Sequence, residues 1–94
     1  MPDFLNEIIK ERTKGNPSFP ALVQAAEDRR QLLRGLAAER ERSGHTQTEV
    51  AAAMGTSQSQ VARLEAASCD AKLSTVEKYA AVLGKRVEWK LVDA

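Results

Sequence analysis

Two helix-capping patterns eleven residues apart constrain the fold of this chain more than any other feature of its sequence. Thr46 and Glu49 have the spacing of a capping box, in which each side chain satisfies a backbone N–H at the start of a helix. The helix that they open ends at Gly55 after only two turns. Ser57 and Gln60 repeat the capping pattern directly afterwards. The sequence therefore predicts two short helices joined by a tight turn around a glycine.

Apolar residues at helical spacing indicate which faces of these two helices are buried. The first helix is expected to bury Val50, Ala51 and Met54, and the second Val61 and Leu64. Two short helices held together in this way form a helix-turn-helix.

Three further stretches have helical patterns. Residues 3–14 are capped by Asp3, and residues 19–42 form either one helix or two, with Gly35 as the point of a break or a close contact. A last helix over residues 74–83 is predicted to start at Ser74, with Glu77 completing the cap, and to bury Val76, Tyr79, Ala80 and Leu83. The predicted fold class is all-α.

The end of the chain changes from helical to strand periodicity. The apolar residues Val87, Trp89 and Leu91 alternate with charged residues. A lone strand is not stable in water, and the chain offers no second strand. Pairing with the same strand of another copy would solve this, so we expect a homodimer whose interface contains these three apolar residues. The predicted division is an N-terminal helix at 1–17, a helical DNA-binding domain at 18–84, and a dimerising strand and tail at 85–94.

Composition limits the classes of protein that the chain can belong to. The net charge is +1, so charge alone does not indicate a nucleic-acid partner. The chain has one cysteine and one histidine and lacks a glycine-rich phosphate loop, so no catalytic residue, metal site or cofactor is expected. Neither a signal-peptide pattern nor a membrane-spanning apolar run is present in the sequence. We expect a cytoplasmic protein without a membrane partner.

Residues 36–84 resemble the Cro/repressor-type helix-turn-helix family, also called the XRE family. The resemblance rests on the run from Leu36 to Arg40, the segment that starts at Thr46, and residues 55–65, GTSQSQVARLE. It implies a five-helix-type, lambda-repressor-like domain, here with an N-terminal helical extension and a C-terminal strand that pairs across a dimer. It also implies a palindromic operator in double-stranded DNA, with half-sites about 34 Å apart.

The family's DNA contacts transfer to this chain by position. Ser57, Gln58, Ser59 and Arg63 match the residues that reach base edges, and Gln47, Thr56 and Gln60 match positions near phosphates. Three of these assignments have structural alternatives. Gln47 and Gln60 are also common residue types at a helix start, and Arg63 could instead form a solvated ion pair with Glu65 or Glu39. The resemblance gives Glu65 a packing and capping role.

The whole chain is also similar, more weakly, to HigA/HipB-type antitoxins. That similarity implies a repressor of its own operon that neutralises a protein toxin of RelE/HigB-like type. The N-terminal apolar face would then contact either the toxin or the chain's own core; it comprises Phe4, Leu5, Ile8 and Ile9. The alternative is a stand-alone phage-like repressor without a toxin.

Overall fold

The computed structural model describes residues 19–93, which form four helices. These are α1 (Phe19–Arg42), α2 (Gln47–Met54), α3 (Gln58–Glu65) and α4 (Leu73–Val82). The described residues contain no strand. No helix among them is both long and apolar enough to cross a membrane. The helix predicted over 3–14 lies outside the described residues, so the expected count of five helices is not seen.

Helix α1 is a single helix of 24 residues. A Cβ placed on Gly35 would meet no atom within 4 Å, so this glycine marks neither a break nor a close contact. The helix ends where predicted, because Gly44 adopts a left-handed φ of 77° that turns the chain towards α2. Only the second half of α1 reaches the interior, through Leu33, Leu36 and Arg40.

The core lies where the second half of α1 meets the three shorter helices. Its buried apolar side chains come from all four helices: Leu33, Leu36, Val50, Ala51, Val61, Leu64, Val76, Tyr79 and Ala80. Met54 and Leu83, which were predicted to be buried, are only partly buried at its edge. The helical spacing of apolar residues thus identified the inward faces but not the depth of each position.

The predicted start of α4 is wrong by one residue. The helix begins at Leu73, and its N-cap is Lys72, whose side chain makes no capping hydrogen bond. The N–H groups of Thr75 and Val76 donate to the Lys72 carbonyl at 3.0 and 3.2 Å. Ser74 is therefore already inside the first helical turn, where it cannot act as the cap.

The C-terminal segment, residues 85–93, is not a strand in this single chain. A strand needs a neighbouring strand to pair with, and the remaining described residues are helices and their connections. Val87 packs against the core, and the Trp89 indole N–H donates to Glu77 Oε2 at 3.3 Å on α4. Trp89 is nonetheless 47% exposed, and Leu91 is fully exposed. Pairing of this segment across a dimer stays a prediction.

Candidate DNA-binding surface

The start of α2 is fixed by the predicted capping box. Thr46 Oγ1 accepts from the Glu49 N–H, and the Thr46 N–H donates to Glu49 Oε1, both at 3.1 Å. The backbone N–H of Thr46 at this carboxylate lowers the pKa of Glu49, and the threonine hydroxyl adds to the effect. Local chemistry thus determines where α2 begins.

A three-residue connection then sets the angle between α2 and α3. Gly55 adopts a left-handed conformation, with φ 73° and ψ 33°. The N–H of Thr56 donates back to the Ala51 carbonyl at 2.9 Å, which closes the end of α2. An L side chain is disfavoured at such a φ, so glycine suits this turn.

Ser57 caps α3 as predicted, although only half of the expected capping box forms. Its hydroxyl accepts from the Gln60 N–H at 3.2 Å and lies 3.1 Å from the Ser59 hydroxyl. The cap shows no return bond from the Gln60 side chain. Ser57, Gln58 and Ser59 are all exposed in the first turn of α3.

Arg63 lies one turn further along α3 and is also exposed. It is four residues after Ser59, so the two side chains share a helix face. The ion-pair alternatives for Arg63 do not occur in the structure. Glu65 is paired with Arg40, and Glu39 is paired with Arg42 at 2.8 Å. Arg63 forms no ion pair with any described residue, so its guanidinium is free to bind a ligand.

The three positions assigned to phosphate contact differ in their surroundings. Thr56, in the connection between α2 and α3, is exposed, and so is Gln60 in the first turn of α3. Gln47, at the first position of α2, is half-buried, and its side chain joins two hydrogen bonds. It donates to Glu65 Oε1 at 3.0 Å and accepts from Gln58 Nε2 at 2.6 Å. One N–H of the Gln47 amide remains for a phosphate.

Beneath this surface, Glu65 is the acceptor at the centre of a polar network. Its Oε2 accepts from Arg40 Nε at 2.7 Å and from the Tyr79 hydroxyl. Its Oε1 accepts from Arg40 Nη2 at 3.1 Å as well as from Gln47. Arg40 also donates from Nη1 to the His45 carbonyl at 2.9 Å. The network joins all four helices and the α1–α2 connection.

The titration behaviour of the network follows from burial and pairing. Burial alone would raise the pKa of Glu65, but hydrogen bonds from Arg40, Tyr79 and Gln47 outweigh it and lower that pKa. The bond to Glu65 raises the pKa of Arg40. Burial and the adjacent carboxylate raise the pKa of Tyr79. At neutral pH the pair is therefore charged and the phenol is neutral.

The sequence analysis named Arg40 only as the end of the run from Leu36, and it missed the ion pair of Arg40 with Glu65. The signal was present, because Arg40 continues the inward series of Leu33 and Leu36 at helical spacing. A buried arginine requires a carboxylate partner. What the spacing does not give is which acidic residue supplies it, since Glu65 lies 25 positions away.

Comparison with known proteins identifies the family. Residues 36–90, more than half of the chain, match the helix-turn-helix family. The chain belongs to that family, in its XRE branch. The match covers the end of α1, all of α2, the glycine turn, α3 and α4.

Two curated relatives match most of the chain. They are Antitoxin HigA1 from Mycobacterium tuberculosis strains CDC 1551 / Oshkosh and ATCC 25618 / H37Rv. Each is 38% identical over 85 residues, which cover 90% of this chain and 57% of the relative. The chain thus spans little more than half the length of these relatives. No solved structure matches it.

Proposed function

We propose that this protein is a sequence-specific transcriptional repressor that places α3 in the major groove of double-stranded DNA. Ser57, Gln58, Ser59 and Arg63 would contact base edges, and Gln47, Thr56 and Gln60 would contact phosphates. The observation that carries the proposal is the exposed Arg63, which forms no ion pair with any residue from 19 to 93 and lies on the same helix as an exposed first turn. Arginine can bond guanine, and glutamine can bond adenine, through two hydrogen bonds each.

The first experiment compares binding to the DNA upstream of the gene with binding to a random duplex of equal length. We expect at least about tenfold preference for the upstream DNA at physiological salt. Arg63→Ala should relax selectivity at one base pair per half-site, because it removes a base contact. Thr56→Ala should weaken binding to both duplexes equally. Equal, salt-sensitive binding by the wild-type protein would leave only non-specific charge contacts and contradict the proposal.

Arg30→Ala is the matched control for Arg63→Ala. It removes the same positive charge from an exposed arginine of α1 that already pairs with Glu27 at 2.7 Å. We expect it to leave base selectivity unchanged. An equal loss of selectivity in both variants would show that overall charge, and not a base contact by Arg63, determines the binding.

We also propose that the repressor is an antitoxin that acts in the cytoplasm, on the nucleoid, and represses its own operon. Support comes from the 38% identity to proteins named Antitoxin HigA1. The partner would be a RelE/HigB-like toxin encoded by a neighbouring gene. We expect co-expression of the protein to restore growth of cells that make that toxin. Failure of rescue and of co-purification would leave the alternative, a stand-alone phage-like repressor.

The toxin contact is proposed for the N-terminal apolar residues Phe4, Leu5, Ile8 and Ile9, which lie outside the described residues. Deleting residues 1–15 should abolish toxin binding while leaving DNA binding by the α2–α3 unit in place. Toxin binding that survives the deletion would show that the contact lies elsewhere in the chain.

Dimerisation is proposed through the C-terminal segment. Trp89 is half-exposed, Val92 is largely exposed and Leu91 is fully exposed within four residues of the chain, and grouped exposed apolar side chains are typical of a protein–protein contact. Val87 anchors the same segment to the core. Trp89→Ala should shift the protein from dimer to monomer in sedimentation, and Leu22→Ala, at a comparably exposed site on α1, should not. A dimer unaffected by Trp89→Ala would place the interface elsewhere.

A further inference from the structure

A line of hydrogen bonds runs from the interior of the domain to the proposed base-reading surface. It starts at Glu65 Oε1, which accepts from Gln47 Nε2 at 3.0 Å. Gln47 Oε1 in turn accepts from Gln58 Nε2 at 2.6 Å. The Glu65 side chain is only 9% exposed, whereas Gln58 is an exposed residue of α3. A buried group is thus connected to a surface side chain through a single intermediate.

The chemistry of the buried end fixes the direction of every bond in this line. An ionised carboxylate can only accept hydrogen bonds, so Gln47 must turn its NH₂ group towards Glu65. The carbonyl oxygen of Gln47 then faces Gln58. Gln58 must therefore donate to it, and its own Oε1 and second N–H make no hydrogen bond with the residues that the structure describes. Those two groups are the acceptor and donor that pair with adenine N6 and N7.

We propose that Glu65 is a positioning residue for base recognition, which acts through Gln47 to orient the Gln58 amide for adenine. The inference rests on the proposed function, in which α3 reads DNA. It adds that base preference at one position depends on a side chain that does not touch the DNA. The carboxylate is itself held in place, because Arg40 binds both of its oxygens at 2.7 and 3.1 Å.

The two oxygens of Glu65 provide a matched pair of perturbations. Oε1 carries the line to Gln58, whereas the Tyr79 hydroxyl binds Oε2. Glu65→Gln replaces an obligate acceptor with a group that can also donate, so the orientation of Gln47 is no longer imposed. Tyr79→Phe removes a buried hydrogen bond but leaves Oε1 and its acceptor character intact. Gln47→Met interrupts the line at a half-buried position; it removes one hydrogen bond to Glu65 Oε1 but keeps both Arg40–Glu65 bonds.

The test begins with selection of a binding site by the wild-type protein from a random duplex library. Gln58→Ala then identifies the base pair that Gln58 reads, where we expect the wild-type protein to prefer adenine by at least about fivefold. Glu65→Gln and Gln47→Met should reduce that preference by about 2- to 10-fold, because the Gln58 side chain must then be ordered during binding. Tyr79→Phe should keep the preference within about twofold.

A second measurement needs no DNA and covers the case in which Glu65→Gln fails to fold. In NMR spectra of the free protein, the Gln58 side-chain NH₂ should have a rigid, shifted signal. That signal should become mobile in Gln47→Met, and it should stay rigid in Tyr79→Phe. A mobile Gln58 amide in the wild-type protein would overturn the inference directly.

The remaining outcomes separate the inference from the function on which it rests. If the wild-type protein selects no site, both are wrong. If it selects a site and Gln58→Ala changes the preference at one position, but Glu65→Gln and Gln47→Met do not, the positioning role is wrong and base reading by α3 stands. A loss of preference in Tyr79→Phe equal to that in Gln47→Met would indicate general destabilisation and would also overturn the inference.

Discussion

Replacement of Arg40 by methionine tests whether the buried ion pair holds the four helices together. Methionine keeps much of the apolar stem of arginine but removes three donated hydrogen bonds, two to Glu65 and one to the His45 carbonyl. The Glu65 carboxylate, only 9% exposed, would then be left without a countercharge. Breaking a buried pair in this way costs about 3–5 kcal/mol. That is a large share of the ~5–15 kcal/mol that stabilises a typical domain.

Unfolding in urea is monitored through the circular dichroism signal of the helices, and Arg42→Met is the matched control. Arg42 forms an ion pair of similar length, 2.8 Å to Glu39, but its side chain is 74% exposed. Exposed pairs contribute at most about 1 kcal/mol, so the control should unfold almost like the wild-type protein. Adding Glu65→Gln to Arg40→Met should recover part of the loss, because a neutral amide leaves no unpaired buried charge.

The reasoning would be refuted if Arg40→Met and Arg42→Met lowered the free energy of unfolding by equal amounts. Burial, and not bond length, is what distinguishes the two pairs, so equal costs would mean that water reaches the Glu65 carboxylate freely. A double variant less stable than Arg40→Met alone would contradict the account as well.

Three further outcomes follow from the caps, the turn and the titration of the network. The pKa of Glu65 is lower in the folded chain than its ordinary value of 4.5, so its contribution to stability is present above that pH and is lost as the pH falls through the lowered value. Thermal unfolding should show this acid sensitivity in the wild-type protein and a flatter profile in Glu65→Gln. Gly55→Ala should cost about 1 kcal/mol in urea unfolding, since φ 73° disfavours any side chain although space is available. Thr46→Ala should cost about 0.5–2 kcal/mol through loss of the cap, and an equal cost for Thr48→Ala, at an exposed position of the same helix, would count against the capping box.

The helix-turn-helix could be predicted from sequence because its signals are local. The bounds of α2 and α3 depend on Thr46, Gly55 and Ser57, each of which acts within four residues of itself in the chain. The start of α4 was predicted from the same kind of local signal, a capping side chain, and that prediction was wrong. Ser74 has the side chain of a good cap, but backbone bonds to the Lys72 carbonyl begin the helix one residue earlier.

Local sequence signals do not predict the polar network or the conformation of the C-terminal segment. Gln47 was assigned a phosphate contact from its position, and its bonds to Glu65 and Gln58 form only when α2 and α3 are packed together. The alternation that ends at Leu91 is compatible with a strand, but a strand requires a partner that the described residues do not contain. Whether a second copy supplies it is a property of the assembly and not of one chain.

The Arg40–Glu65 pair also bears on how fast the domain folds and unfolds. Its partners lie 25 residues apart on α1 and α3, and Glu65 also accepts from Gln47 on α2 and Tyr79 on α4. No pair of helices can therefore complete the network around the ion pair. We expect these charges to lose their water only when the whole bundle closes, after the rate-limiting step that buries most of the apolar surface in typical small domains. We therefore expect Arg40→Met to accelerate unfolding far more than it slows refolding. The network would thus stabilise the folded domain mainly by slowing its unfolding.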